Sequence, residues 1–171
     1  MAVLPIVKAP DPRLKLVSKP VEMVDAALRK FLADMVETMY AANGVGLAAI
    51  QVGIPLRLAV IDLDPKGPNS KVLTVINPVI LESSAEASTY NEGCLSVPEV
   101  WDDVQRAAKV KVEYRDENWQ KQTVDAEGLF AICLQHEIDH INGKLFVDHL
   151  SRLKRNIALR KSAKLKREAK G

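Results

Sequence analysis

The chain is poor in several residue types that often carry function in a protein of this size. Among 171 residues there are two cysteines, three histidines and only 5% aromatics. Two cysteines, Cys94 and Cys133, cannot make a disulfide framework, so each thiol is left for packing or for chemistry. No run approaches 18 consecutive apolar residues, so no transmembrane helix is expected. The segment Met1 to Lys8 lacks a basic stretch followed by a long apolar one, and it is not Ser- and Arg-rich. It reads as neither a signal nor a transit peptide, and a cytoplasmic location is expected. Internal repeats are absent, and so is low complexity outside the C-terminal tail.

What is present suits one globular domain with a substantial core: 47% hydrophobic and 27% charged residues. The net charge of +2 conceals an asymmetry. Residues 152–171 hold nine Lys or Arg against the single acid Glu168, a net of +8, which leaves −6 on the rest. The expected organisation is one domain over residues 1–150 and a basic helix or tail over 151–171. Such a tail suits an RNA-facing segment or a merely solvated one.

Periodicity supplies the elements. Pro5, Pro10, Pro12 and Pro20 predict an extended N-terminal segment that wraps the surface. Apolar positions 28, 31, 32, 35, 36, 39 and 40 predict a helix capped by Asp25 and stopped at Asn43-Gly44. Strands are expected over 56–63, 72–81, 108–114 and 122–124, with Pro78 interrupting the second or placing it at an edge. A helix follows over 127–142, ended by Asn142-Gly143. A last helix starts near 148–150, with Leu150, Leu153 and Ile157 as its docking stripe. Strands in the middle with helices at both ends define an α+β class, with antiparallel or mixed sheets packed around the helix over 127–142.

That helix carries the chemistry. His136 and His140 stand one turn apart on one face, a spacing that lets both imidazoles reach one metal ion. Glu137 lies beside the first and can take a proton from a water on that ion, the logic of the H-E-x-x-H metallohydrolases. The bland alternative is a solvated helix, which poorly explains why two of only three histidines flank a glutamate. The third histidine, His149, lies beyond Gly143 and reads as a surface or helix-start residue.

A catalytic metal wants three protein ligands and one open position. Cys94 in Glu92-Gly93-Cys94-Leu95-Ser96 is the better third ligand, although without the helix motif a buried thiol at a strand end is the favoured reading. Gly44-Val45-Gly46-Leu47-Ala48-Ala49-Ile50-Gln51 is a third constellation. Its glycines allow close backbone approach and Gln51 offers an amide, while in isolation a plain helix-to-strand turn with a surface Gln is the better reading.

Together, in order and spacing, these three segments resemble the peptide deformylase family. The likeness rests on a Gly-x-Gly-x-Ala-Ala-x-Gln segment at 44–51, a Glu-Gly-Cys-x-Ser segment at 92–96 and a Gln-His-Glu-x-Asp-His segment at 135–140. It extends over nearly the whole chain. The resemblance implies hydrolytic removal of the formyl group from the N-terminal formylmethionine of new polypeptides, with release of formate. It implies Cys94, His136 and His140 as metal ligands and Glu137 as general base and then acid. It also implies the Gln51 side-chain amide and the Leu95 backbone N–H as oxyanion donors. The implied ion is Fe2+, with Zn2+, Ni2+ or Co2+ able to take its place.

Substrate is expected to lie extended between Gly44–Gly46 and the segment around Gly93. Val45, Leu129, Ile132 and Cys133 are the expected walls of a methionine pocket, or ordinary core. Trp101 stands where some relatives carry a basic residue near substrate, as an aromatic rim or a packing residue. A monomer without membrane attachment is expected, with the ribosome as the candidate partner of the basic tail. Two other readings are a metalloprotease on the same helix motif, disfavoured by Cys94 and Gln51, and a structural metal or RNA-binding module, for which no convincing fourth ligand exists.

Overall fold

The computed structural model describes residues 2–170. Among the described residues, three helices and seven strands follow in the order α1 (Ala26–Ala41), β1 (Gly46–Ala48), β2 (Leu58–Ile61), β3 (Leu73–Ser83), β4 (Ala87–Cys94), β5 (Val97–Ala107), β6 (Lys109–Arg115), β7 (Lys121–Glu127), α2 (Gly128–Ile141) and α3 (Arg152–Lys170). Short 3-10 turns at Pro12–Lys15, Ala49–Val52 and Phe146–His149 join them. The strands form a five-stranded sheet in the order β1-β2-β3-β6-β7 and a separate β4-β5 hairpin, with every pairing antiparallel. The α+β class expected from the sequence is what the chain adopts.

Side-chain alternation builds two cores on the larger sheet. Leu58, Val60 and Ile76 meet Leu28, Leu32, Met35 and Met39 of α1. The neighbouring positions Ile61 and Val75, with Val110 and Val112, meet Ala131, Cys133, Leu134 and Ile138 of α2. Successive residues of a strand point to opposite faces, so α1 and α2 cover opposite faces of this sheet. That is why all four residues of β2 are buried. Asp25 caps α1 as expected, its carboxylate accepting from the Leu28 N–H at 2.8 Å. The register of β3 shifts between Ile76 and Val79, where Pro78 cannot donate to the ladder. Asn77, at a φ of 51°, uses its side chain to bond both the N–H and the carbonyl of Val21.

Three expectations are corrected. The β4-β5 hairpin is not among the predicted strands, because β4 alternates exposed and half-buried residues without an apolar period and the valines of β5, at 97, 100 and 104, do not follow the two-residue alternation of a strand. The N-terminal segment is extended apart from its 3-10 turn, but it does more than wrap: Val7, Ala9 and Leu14 are buried with Val97, Phe146 and Ala158. Helix α3 docks in another phase than predicted. Leu153 and Ile157 are 69% and 55% exposed, while Ala158 and Ser162 face the body. Close approach to the N-terminal segment needs small side chains, and the Ser162 hydroxyl donates to the buried Ala9 carbonyl at 2.6 Å.

Candidate metal centre

Helix α2 begins where Gly128 adopts a φ of +61°, and it ends at Asn142 and Gly143, the latter at +79°. A Cβ at Gly143 would fall 2.5 Å from the Lys15 carbonyl, so both conformation and space require glycine there. Within those bounds the apolar face turns Ala131, Leu134, Ile138 and Ile141 into the core. This fixes His136 and His140 on a neighbouring face, toward the end of β4 that carries Cys94.

The three side chains converge. Cys94 Sγ lies 3.3 Å from His140 Nε2, which lies 3.2 Å from His136 Nε2. All three ligand atoms fall within 4.8 Å of one another, and among the described residues no other set of three does so. A tetrahedral ion with metal–nitrogen bonds of about 2.0–2.1 Å and a metal–sulfur bond of about 2.3 Å needs ligand atoms roughly 3.3–3.6 Å apart. The residues fit a metal ion on that measure. Burial disfavours the Cys94 thiolate, but the adjoining His140 and His136 hold its pKa well below the ordinary thiol value. For His136, burial opposes the charged ring, while Cys94 and Glu92 push its pKa well up. The cluster therefore favours the thiolate, the form that ligates a metal.

Glu137 is 5% exposed, and its Oε1 is buried with no hydrogen-bond partner. Burial pushes its pKa up, with the neighbouring histidines countering. Gly46 leaves it room: a Cβ there would sit 2.5 Å from Glu137 Oε2. Gln51 is also buried, and its amide has one orientation. Its oxygen accepts from the Ala48 N–H at 2.9 Å, so its NH2 faces Ser96 Oγ at 3.0 Å and Cys94 Sγ at 3.6 Å. Leu95 follows the thiol, and its side chain lies over Gly44, where a Cβ would come within 2.7 Å of it.

A second layer orients the ligands. His136 Nδ1 bonds Glu92 Oε1 at 2.9 Å, which leaves Nε2 for the cluster. Glu92 is gripped bidentately by Arg106, at 2.7 and 3.0 Å, and Arg106 also donates to Asp139 at 2.8 Å. These charges are buried together, and burial alone disfavours each. Even so, the Glu92 and Asp139 pKa values are held down, by His136 and Arg106 in one case and His149 and Arg106 in the other.

The other sequence-derived site residues divide by depth. Ile132 and Cys133 are buried, and burial pushes the Cys133 thiol up to about 12. Val45 and Leu129 are partly exposed, at 37% and 46%. The Trp101 ring stands over Gly93, within 2.4 Å of where a Cβ would be, and it is 67% exposed. Sequence reasoning missed Glu92, Ser96, Arg106 and Asp139 as a supporting shell. Three of them lie inside the recognised segments and could have been read there; Arg106, a lone cation outside those segments, carries no such signal.

Comparison with known proteins places this geometry. The sequence profile of a family described as polypeptide deformylase matches residues 3–156. The chain is 53% identical over 165 residues to a peptide deformylase of Brucella suis biovar 1 (strain 1330), covering 96% of this chain and 94% of that one. It superposes with a TM-score of 0.92 on the crystal structure of a peptide deformylase from Legionella pneumophila, at 48% identity and 98% coverage of both chains. The TM-score is also 0.92 with the peptide deformylase from Ehrlichia chaffeensis in complex with actinonin, at 43% identity, covering 98% of this chain and 99% of that one.

Proposed function

The chain belongs to the polypeptide deformylase family, and from that premise we propose how its residues divide the work. It is a metal-dependent hydrolase that removes the N-formyl group from formylmethionine at the start of a polypeptide, releasing formate. Cys94, His136 and His140 hold the ion, which when bound acidifies a water and polarises the formyl oxygen. Glu137 takes the proton of the attacking water and delivers it to the departing α-amine as the C–N bond breaks. The Gln51 amide NH2 and the Leu95 backbone N–H donate to the oxyanion that forms on the way. The observation that carries this reading is the convergence of three ligand atoms within 4.8 Å beside a buried glutamate with an unpartnered oxygen.

Substrate pairs with β1. That strand is the edge of the five-stranded sheet, so one side of its backbone is open to an extended peptide. Gly44, Val45 and Gly46 line the peptide on one side and Gly93 on the other, with Val45, Leu129, Ile132 and Cys133 around the methionine side chain. The ion is Fe2+, with Zn2+, Ni2+ or Co2+ able to replace it; one thiolate and two imidazoles suit all four. The enzyme works as a cytoplasmic monomer. Arg160, Lys164 and Arg167 share an exposed face of α3 and suit ribosomal RNA.

Anaerobically purified protein should release formate from a formyl-Met peptide and leave its internal bonds intact, with metal measured alongside. Glu137→Ala should lose turnover and keep about one equivalent of metal. Turnover surviving that change would overturn the role given to Glu137, and internal cleavage would favour a protease. Deletion of residues 160–171 should weaken co-sedimentation with ribosomes at low salt; unchanged binding would remove the role given to α3.

A further inference from the structure

The turn Phe146–His149, between the ligand helix and α3, touches the metal centre twice, and neither contact belongs to the chemistry described above. The Phe146 ring stacks on the His136 ring, with centroids 6.1 Å apart and planes at 21°. Three residues on, His149 Nε2 lies 2.7 Å from Asp139 Oδ2. That oxygen also receives Arg106 at 2.8 Å, and Arg106 grips Glu92, whose Oε1 holds His136 Nδ1 at 2.9 Å. A hydrogen-bonded chain thus runs from His149, whose side chain is 35% exposed, through the buried guanidinium to a metal ligand.

The chain has a physical reason for its outer end. One guanidinium is shared by two carboxylates, Glu92 and Asp139, and the share is uneven. Arg106 spends Nε and Nη2 on Glu92 and only Nη1 on Asp139. The His149 N–H supplies the second donor to the Asp139 oxygen, which keeps Asp139 from drawing the guanidinium off Glu92. Arg106 Nη1 and His149 Nε2 are 3.5 Å apart, both directed at the same acceptor.

We infer that His149 is a positioning residue of the metal centre: by anchoring Asp139 and, through it, Arg106 and Glu92, it sets the orientation in which His136 presents Nε2 to the ion. The inference rests on the metal-ligand role given to His136, and its test does not depend on deformylation. The Co2+-loaded protein serves as probe, read by chelator competition and by the visible absorption of thiolate-bound Co2+. His149→Met fills the space without a donor, and His149→Gln keeps one. H149M should bind Co2+ about tenfold more weakly and shift the absorption bands, as outer partners of metal ligands do when removed. H149Q should restore affinity to within about twofold and bring the bands back, consistent with a donor effect. In formate release, kcat of H149M should fall with KM unchanged.

Unchanged Co2+ affinity and bands in H149M, whatever its thermal stability, would overturn the inference, as would an H149Q no better than H149M. If H149M does not fold, Asp139→Asn tests the same link, with weaker Co2+ binding expected and unchanged binding again overturning it. Wild-type protein that binds Co2+ but releases no formate would instead sink the deformylase reading and leave this one standing.

Discussion

At position 46 the absence of a side chain is what leaves Glu137 its place. A methyl group there would sit 2.5 Å from Glu137 Oε2 and 3.0 Å from Cδ, so the buried carboxylate would have to shift. Gly46→Ala should therefore displace the base without touching a metal ligand. A misplacement of about 1 Å costs on the order of 10²-fold in rate. We expect kcat for formate release to fall by that order while metal content stays at about one equivalent, as read by elemental analysis of the purified variant. Full activity in the alanine variant would mean that Glu137 has slack that the packing does not show. Gly44 faces a softer neighbour, the end of the Leu95 side chain, which a rotamer change can move.

Helix α3 shows that an apolar stripe is not always the buried one. Its docking face uses Ala158 and Ser162 with Leu159 partly buried beside them, while Leu153 and Ile157 point outward. The contact is close and partly polar, so it depends on small size and on the hydrogen bond to Ala9. Ser162→Val should leave the Ala9 carbonyl unsatisfied and crowd the interface, at a cost of about 1–3 kcal/mol. Leu153→Ser, on the exposed side, should stay within about 0.5 kcal/mol of wild type. Urea unfolding midpoints of the two variants decide the matter, and the reverse order would restore the docking face expected from the sequence. The β4-β5 hairpin is the other element with consequences, because it brings Cys94 to α2 and carries both Glu92 and Arg106.

For the whole molecule, acid stability follows from carboxylates that the fold holds ionised. Asp62 is 1% exposed and accepts from the Tyr40 and Ser70 hydroxyls at 2.6 Å each and from the Asp64 and Lys71 N–H groups. Burial alone would raise its pKa. The Ser70 and Tyr40 hydroxyls and the two backbone donors overcome it and hold the value below the ordinary 3.8. A carboxylate depressed in the folded state stabilises above its unfolded pKa, and that contribution is lost as pH falls through the folded value. Asp62 therefore stabilises fully at neutral pH and progressively less below about pH 3.8. Asp62→Asn presents a donor to other donors and should cost about 1–3 kcal/mol at pH 7. The stability gap between wild type and D62N should narrow as pH is lowered from 7 toward 3, measured by urea unfolding; a constant gap would contradict the assignment.

Local spacing by itself determined α1 with its Asp25 cap, α2 with its glycine stop, and the pairing of His136 with His140 around Glu137. These are properties of 3.6 residues per turn and of capping chemistry, which act over a few residues and can be read in one dimension. Cys94 and Gln51 were readable only as members of segments whose joint order resembled a known family. Only the tertiary structure decided the rest. Arg106 looks like a solvated cation until the hairpin folds it against Glu92 and Asp139, residues 14 and 33 positions away. Ser162 looks like part of a charged tail until it meets Ala9, 153 positions away. His149 looks like a surface residue until the turn carrying it bends back to Asp139. In each case the partner sits on another element, brought close only by the fold, and it is the partner that turns an ordinary polar residue into a structural one.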